Sequence, residues 1–393
     1  MKVLMINSVC GIRSTGRICT DIAEVLEKSG HECKIAYGRE VVPEKYKKYA
    51  VRIGSNMGVK LHAGLSRIFD SAGFHSKHAT KKFIKWVKQY NPDIIHLHNL
   101  HGYYLHLGIL FKYLKSINKP IVWTLHDCWP FTGHCAYFDF VRCDKWEKQC
   151  VRCIRKRDYP SSLIFDKSKR NYRKKKKLMG DLKNLQIITP SQWLANLVKR
   201  SFLKEYDVKV IPNGIDLSVF KPTESDFRIK YGLGNKRVVL GVAGVWDERK
   251  GLADFLGLSK LLTDDYKIVL VGLTRRQINS LPTNVLGIEK TNNVRELAEI
   301  YSTADVLLNP TYEDNYPTTN LEAQACGTPV ITYRTGGSVE SVPVENVVEK
   351  GDIERVADIL KGKSSLEILC QHQNFDKNKT CNKYSAIYLG GKL

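Results

Sequence analysis

Two kinds of hydrophobic stretch alternate along the chain. Short, unbroken runs of Val, Ile and Leu occupy 2–7, 94–98, 121–126 and 185–189 in the first half. Others occupy 237–245, 267–272, 306–309 and 329–333 in the second. Unbroken apolar runs fit strands covered on both faces, as in a parallel sheet. Between them lie stretches with helical periodicity, among them 18–28, 80–89 and 295–302. The strand–helix rhythm occurs twice and predicts an α/β chain of two doubly wound, parallel-sheet domains. The join lies around Ile211-Pro212-Asn213-Gly214-Ile215-Asp216. The expected division is 1–205 for the first domain, with a Cys-rich insert at 128–160, and 206–370 for the second. Residues 371–393 are expected to return to the first domain.

Composition adds a charge problem. Hydrophobic residues make 43% and charged residues 26%, which excludes a disordered or collagen-like chain. The net charge is +22. Residues 1–200 hold 38 Lys and Arg against 15 Asp and Glu, so the first half carries the whole excess. Such asymmetry points to an acidic partner on that half: nucleic acid, a membrane surface or a phosphorylated substrate. No apolar run approaches the ~18 residues of a membrane span. The opening residues are too short for a signal-peptide core. The expected place is therefore the cytoplasm. The run 173–177, Arg-Lys-Lys-Lys-Lys, with Lys167, Lys169 and Arg170, is either a solvated helix face or a face attracted to anionic lipid.

Several motifs carry candidate chemistry. Gly11-Ile12-Arg13-Ser14-Thr15-Gly16 follows the first strand and leads to a helix. Such a turn presents backbone N–H groups to an anion, though a plain strand-to-helix turn explains it equally. Arg17-Ile18 stand where a Walker A loop needs Lys-Ser/Thr. In the second half Arg249-Lys250-Gly251 lies at the C-terminal end of a strand, where α/β folds bind ligands; two solvated charges are the plainer alternative. The stretch from Pro310 to Val330 is more informative. A strand ends at Pro310, and Glu313 and Asp314 occupy the loop. Pro317, Thr318, Thr319 and Asn320 suit a helix start, and that helix carries Glu322. Thr335-Gly336-Gly337 follows the next strand. Helix-start amides for phosphate and carboxylates for hydroxyls together suit a nucleotide-sugar.

These residues resemble the Glu-x7-Glu signature of the retaining, group-1 glycosyltransferases (family 4), which have the two-domain GT-B fold. Glu322 matches the second acid, Gly336-Gly337 the next glycine turn, Lys250-Gly251 the phosphate-binding lysine turn, and Asn213-Gly214-Ile215-Asp216 with Phe220 and Pro222 the boundary signature. The first half is most similar to the colanic-acid, capsule and exopolysaccharide branch. The matching segments there are Pro92 to Asn99, His101-Gly102-Tyr103-Tyr104 and Trp123 to Trp129. Two positions depart from the pattern: eight residues before Glu322 stands Asp314, with Glu313 beside it, and the usual phosphate-turn Arg falls on Val245.

The resemblance implies two domains facing a cleft and transfer, with retention, of a sugar from a UDP- or GDP-sugar to a glycan acceptor, a lipid-linked one by expectation. The setting would be surface polysaccharide synthesis at the inner face of the membrane. Lys250 and Arg249 would neutralise the donor diphosphate. Gly16, Asn213, the amides of Thr318, Thr319 and Asn320, and the Gly336-Gly337 turn would assist in binding it. Glu322 would hold the ribose, Asp314 or Glu313 the sugar hydroxyls, and His126 would contact the sugar near the reacting carbon. His96, His98 and His101 either line the acceptor pocket or pack. The expected partners are a nucleotide-sugar, the acceptor and an anionic membrane surface, without nucleic acid. No catalytic cofactor is expected.

A GT-B-shaped nucleotide-sugar epimerase would need no acceptor. A nucleic-acid-binding protein would also explain the charge, but it predicts basic residues interleaved with aromatics or a known module, and none is found. Eleven cysteines without a secretory leader do not suggest a disulfide framework. Cys135, Cys143, Cys150 and Cys153 have the number of thiolates for a closed structural zinc site, though the spacing is irregular; four reduced cysteines in a loop-rich insert is the alternative.

Overall fold

The computed structural model describes residues 1–363, 366–369 and 375–390. The chain divides into two compact units. One comprises Met1–Pro212 with the chain from Thr380, the other Asn213–Lys379. The join thus lies seven residues beyond the expected 205, and the return to the first unit comes at Thr380 rather than 371. Residues 371–374 and 391–393 of the expected returning segment lie outside the described residues.

The first unit is built on seven strands: β1 (Lys2–Ile6), β2 (Glu32–Tyr37), β3 (Ala50–Arg52), β4 (Ile94–Leu97), β5 (Ile121–Thr124), β6 (Leu185–Thr189) and β7 (Val208–Val210). They form one parallel sheet in the order β3-β2-β1-β4-β5-β6-β7. β1 pairs on one side through Val3↔Cys33 and on the other through Val3↔Ile94. Strand order therefore reverses between β1 and β4. Every residue of β4 and β5 is buried, as their unbroken apolar runs require. Helices cover both faces, among them α1 (Arg13–Lys28), α2 (Asn56–Phe69) and α3 (Lys77–Tyr90). The helix Lys377–Tyr388 brings Cys381, Tyr384 and Tyr388 into this core.

The helix Ser168–Met179 carries the basic run, and one of its lysines departs from the expected basic face. Its inner face is Ser168, Asn171, Tyr172, Lys175 and Met179. Lys175 is buried beneath the run. Its Nζ donates to the carbonyls of Trp129 (2.7 Å) and Thr132 (3.2 Å) and sits 3.5 Å from the Trp129 ring centroid. Helical spacing puts one of the five basic residues on the inner face, and two carbonyls with an aromatic face compensate it.

The second unit repeats the plan with six parallel strands: β8 (Arg237–Val242), β9 (Tyr266–Val271), β10 (Val285–Ile288), β11 (Val306–Asn309), β12 (Val330–Tyr333) and β13 (Val347–Val348). Their order is β10-β9-β8-β11-β12-β13, so the reversal lies between β8 and β11. In such sheets ligands bind beyond the C-terminal strand ends at the reversal point.

Candidate active site

In the second unit the loops after β8 and β11 are laced together. Beyond β8 the chain makes one tight turn, Glu248–Lys250, which Asp247 caps by accepting the Lys250 amide at 3.1 Å. Gly251 follows at φ 70°, and a Cβ there would lie 2.3 Å from the Pro310 carbonyl oxygen. Only glycine permits both the left-handed backbone and this approach. The close approach allows three cross-links. The Tyr312 amide donates to the Arg249 carbonyl at 2.8 Å. The Arg249 guanidinium donates to the Glu313 carbonyl at 2.8 Å. Lys250 Nζ pairs with Asp314 Oδ2 at 2.5 Å. Burial by itself would raise the Asp314 pKa. Lys250 and then Arg249 more than offset that, and it lies below the ordinary carboxylate value.

The neighbouring segments attach to the same loop. The Thr335 hydroxyl donates to the Tyr312 carbonyl (2.8 Å), which brings the Gly336-Gly337 turn beside it. Asn213 Nδ2 donates to the Tyr316 carbonyl (2.9 Å). The helix Thr318–Ala325 starts after Pro317 with no side-chain cap, and Thr318 and Thr319 are half-buried. Asn320 departs from expectation. Its Nδ2 bonds Ser341 Oγ (2.9 Å) and Ser338 Oγ (3.3 Å), its Oδ1 accepts from Asn309 (2.8 Å), and its amide donates to the Pro317 carbonyl. Those groups are spent on joining helix to turn. Glu322 is buried, with Oε2 accepting the Tyr301 hydroxyl at 3.0 Å. Tyr301 and Asp247 were not anticipated. Tyr301 is 21 residues from Glu322, with no local signal, whereas Asp247 could have been found as an N-cap residue three before Lys250.

In the first unit the histidines separate into three roles. His96 is a core residue. Its Nδ1 meets the Tyr388 hydroxyl (2.6 Å) and its Nε2 the Thr124 hydroxyl (2.8 Å), which removes it from the acceptor candidates. His126, beyond the end of β5, meets His98 at 3.0 Å, with the two rings stacked. Burial pulls the His126 pKa down to about 4, so it is neutral at neutral pH and offers hydrogen bonds rather than charge. His101 lies between Asp127 (2.7 Å) and the Tyr159 hydroxyl (2.9 Å). Asp127, in the sequence segment that ends at Trp129, was not singled out beforehand.

Gly16 is also placed differently from expectation. α1 begins at Arg13, so Gly16 lies inside the helix rather than in the turn before it. Its carbonyl accepts the Gly11 amide at 3.1 Å, and a Cβ would meet Val9 at 3.0 Å. It packs the helix against the 9–11 segment.

The cysteines do not assemble as four metal ligands: among the described residues no group of three or more His, Cys, Asp or Glu could hold a metal ion. Cys150 Sγ accepts the Gly133 amide (3.1 Å), and Cys135 and Cys153 share a hydrogen bond. That bond is the main cause lowering the Cys153 pKa to about 7, while Cys135 is held far above its ordinary value. The thiols are engaged in local hydrogen bonding and core packing.

Residues 15–219 match the family model Glycosyltransferase Family 4, and residues 236–362 match Glycosyl transferases group 1. The chain belongs to glycosyltransferase family 4. This glycosyltransferase is 23% identical over 352 residues to the putative colanic acid biosynthesis glycosyl transferase WcaC of Escherichia coli K12, covering 86% of this chain and 85% of the relative. It is 24% identical to the capsular polysaccharide biosynthesis glycosyltransferase CapM of Staphylococcus aureus, over 50% of this chain and 57% of CapM. It is 28% identical to the N,N'-diacetylbacillosaminyl-diphospho-undecaprenol alpha-1,3-N-acetylgalactosaminyltransferase of Campylobacter jejuni, over 40% and 44% respectively. Among solved structures, Anabaena HepE in complex with UDP superposes with a TM-score of 0.67 at 15% identity, covering 99% of this chain and all of that one. Sucrose-phosphate synthase from Thermosynechococcus elongatus gives 0.66 at 18%, covering 99% and 96%. Each of the two units is Rossmann-like, and the fold is GT-B.

Proposed function

We propose that this glycosyltransferase moves a sugar, with retention, from a nucleotide-sugar to a lipid-linked glycan acceptor in surface polysaccharide synthesis, working against an anionic membrane surface. The observation that carries the reading is the Lys250–Asp314 pair on loops laced together at the reversal point of the second sheet. Lys250, with Arg249 beside it, faces the charge that develops on a leaving diphosphate, and a pre-positioned cation stabilises that charge without reorganisation. The amides of Thr318 and Thr319 and the Gly336-Gly337 turn add donors for the phosphates, Glu322 takes the ribose hydroxyls and Asp314 orients Lys250. In the first unit, neutral His126 offers a hydrogen bond rather than a charge. Support for the acceptor class comes from the names of the relatives WcaC and CapM and of the Campylobacter jejuni transferase, and support for a uridine nucleotide from the HepE complex with UDP.

The test is a thermal-shift panel of UDP, GDP and their sugars, followed by NMR of the product's anomeric configuration. A ligand that binds only the folded chain raises Tm by mass action. UDP or a UDP-sugar is expected to do so, and the transferred sugar to keep the donor's configuration. No response to any nucleotide would overturn the reading, and an inverted product would remove retention alone.

A further inference from the structure

A cavity of about 770 Å³ lies in the first unit between α2 and α3, beyond the C-terminal end of the edge strand β3. That is within the roughly 300–1,000 Å³ range of small-molecule sites. Its wall is mainly hydrocarbon: Val59, Leu65, Phe74, Phe83, Trp86 and the body of Tyr104. Among the polar groups in the wall, His62, Ser76, Arg52 and Tyr104 make hydrogen bonds within the fold. His62 spends both ring nitrogens, one on the Ser76 hydroxyl (2.9 Å) and one accepting the Gly73 amide (3.2 Å). No Asp or Glu lines the cavity, whereas Lys77 and Lys82 do, and both are exposed and so stand at its mouth.

The helix over this cavity packs Val59 and Ala63 inward but also leaves an apolar stripe on its outer face. The fully buried residues of α2 are His62 and Ser66. Met57 (80% exposed), Leu61 (64%) and Ile68 (40%) share its outer face. A surface helix ordinarily turns such a stripe inward. The stripe continues onto Leu163, Ile164 and Phe165, also exposed. That segment is tied to α2 by Leu163 N–H to Arg67 O (2.7 Å) and by stacking of Phe165 on Phe69. Leu61 belongs to both the stripe and the cavity.

We infer that the α2–α3 cavity binds the hydrocarbon chain of a phosphate-bearing lipid, with α2 as its cover and Lys77 and Lys82 holding the phosphate. The inference rests on the lipid-linked acceptor proposed above and assigns that acceptor's chain a place. The chain enters from the side where α2 presents Met57 and Leu61, so it passes from one apolar surroundings to another without crossing water.

The test is calorimetric titration of the full chain with farnesyl phosphate, farnesol and a short-chain phosphatidic acid. Val59→Trp and, as a milder second filling, Ala79→Leu occupy the cavity; Lys77→Gln with Lys82→Gln removes the charge. Farnesyl phosphate is expected to bind the wild type, and the filled variants to lose about tenfold or more in affinity with unchanged Tm and UDP binding. The double Gln variant should weaken farnesyl phosphate but not farnesol. Preference for farnesyl phosphate over phosphatidic acid identifies the acceptor as the source; equal binding identifies bilayer phospholipid in the same site. No binding to the wild type, or undiminished binding to both filled variants, overturns the inference. Filled variants that transfer sugar to a lipid-linked acceptor at the wild-type rate also overturn it and leave the proposed reaction standing. A wild type that binds farnesyl phosphate but glycosylates only water-soluble acceptors does the reverse.

Discussion

Lys250 and Asp314 illustrate how one residue's role depends on another's backbone. Their pairing requires Gly251, because any Cβ there would collide with the Pro310 carbonyl and force the two loops apart. Lys250→Ala is expected to lower transfer on the order of 100-fold, the usual size of losing one pre-positioned electrostatic partner. Asp314→Asn should cost more than Glu313→Gln if orientation of Lys250 is what matters. The opposite order in initial rates would move the role to Glu313. The acid limb of stability carries the same information. The native Asp314 carboxyl titrates below its ordinary value near 3.8. Its pairing therefore contributes stability above that pH and loses it as pH falls through the native pKa. Asp314→Asn should flatten that part of the acid limb, and an unchanged acid transition in circular dichroism would argue against the pair.

At the scale of elements, the short strands buried along their whole length were legible, whereas the edge strands and the half-polar β2 inside the first sheet were not. β4, β5, β11 and β12 are unbroken apolar runs, buried along their whole length, and each stood out as a run. β3, β7 and β13 have two or three residues, too few to show a period. α2 was not anticipated, because apolar residues stand on its outer face as well as its inner one, which blurs the pattern that marks a water-facing helix. The lysine run misled for a related reason: five basic residues read as uniform charge, while the helix sends Lys175 inward. Burial lowers the Lys175 pKa to about 7 from 10.5. Between those values the unfolded chain binds a proton that the native one does not, so stability rises with pH there. The contribution has a slope of at most about 1.4 kcal/mol per pH unit. Denaturant titrations at pH 7, 8 and 9 should show this rise for the wild type and lose it in Lys175→Met. Equal slopes in the two proteins would mean that native Lys175 keeps its proton across this range and that burial does not lower its pKa.

The whole molecule divides its charge as it divides its chain. Met1–Pro212 with the segment from Thr380 holds 42 basic and 17 acidic residues, whereas Asn213–Lys379 holds 20 and 23. Among the described residues no helix is long and apolar enough to cross a membrane; attachment of the kind proposed here would draw on surface charge and shallow apolar insertion. Both lie on the first unit: Lys169, Arg170, Lys176 and Lys177 are exposed on one helix, and the stripe of Met57, Leu61 and Ile164 is exposed on α2 and the segment tied to it. Electrostatic attraction to anionic headgroups is worth about 1 kcal/mol per basic residue near the surface and is screened over a Debye length of about 8 Å at physiological salt. Apolar insertion is not screened. The two contributions are therefore separable by salt. The wild type should co-sediment with anionic but not neutral vesicles and be largely released by high salt. Replacing Lys169, Arg170, Lys176 and Lys177 with Gln should reduce the salt-sensitive part. Met57→Ser with Ile164→Ser should remove the fraction that resists salt, and UDP binding by the other unit should be untouched in each case. Equal partitioning onto neutral and anionic vesicles, or two variants that behave alike with salt, would defeat this division of labour on the surface of the first unit.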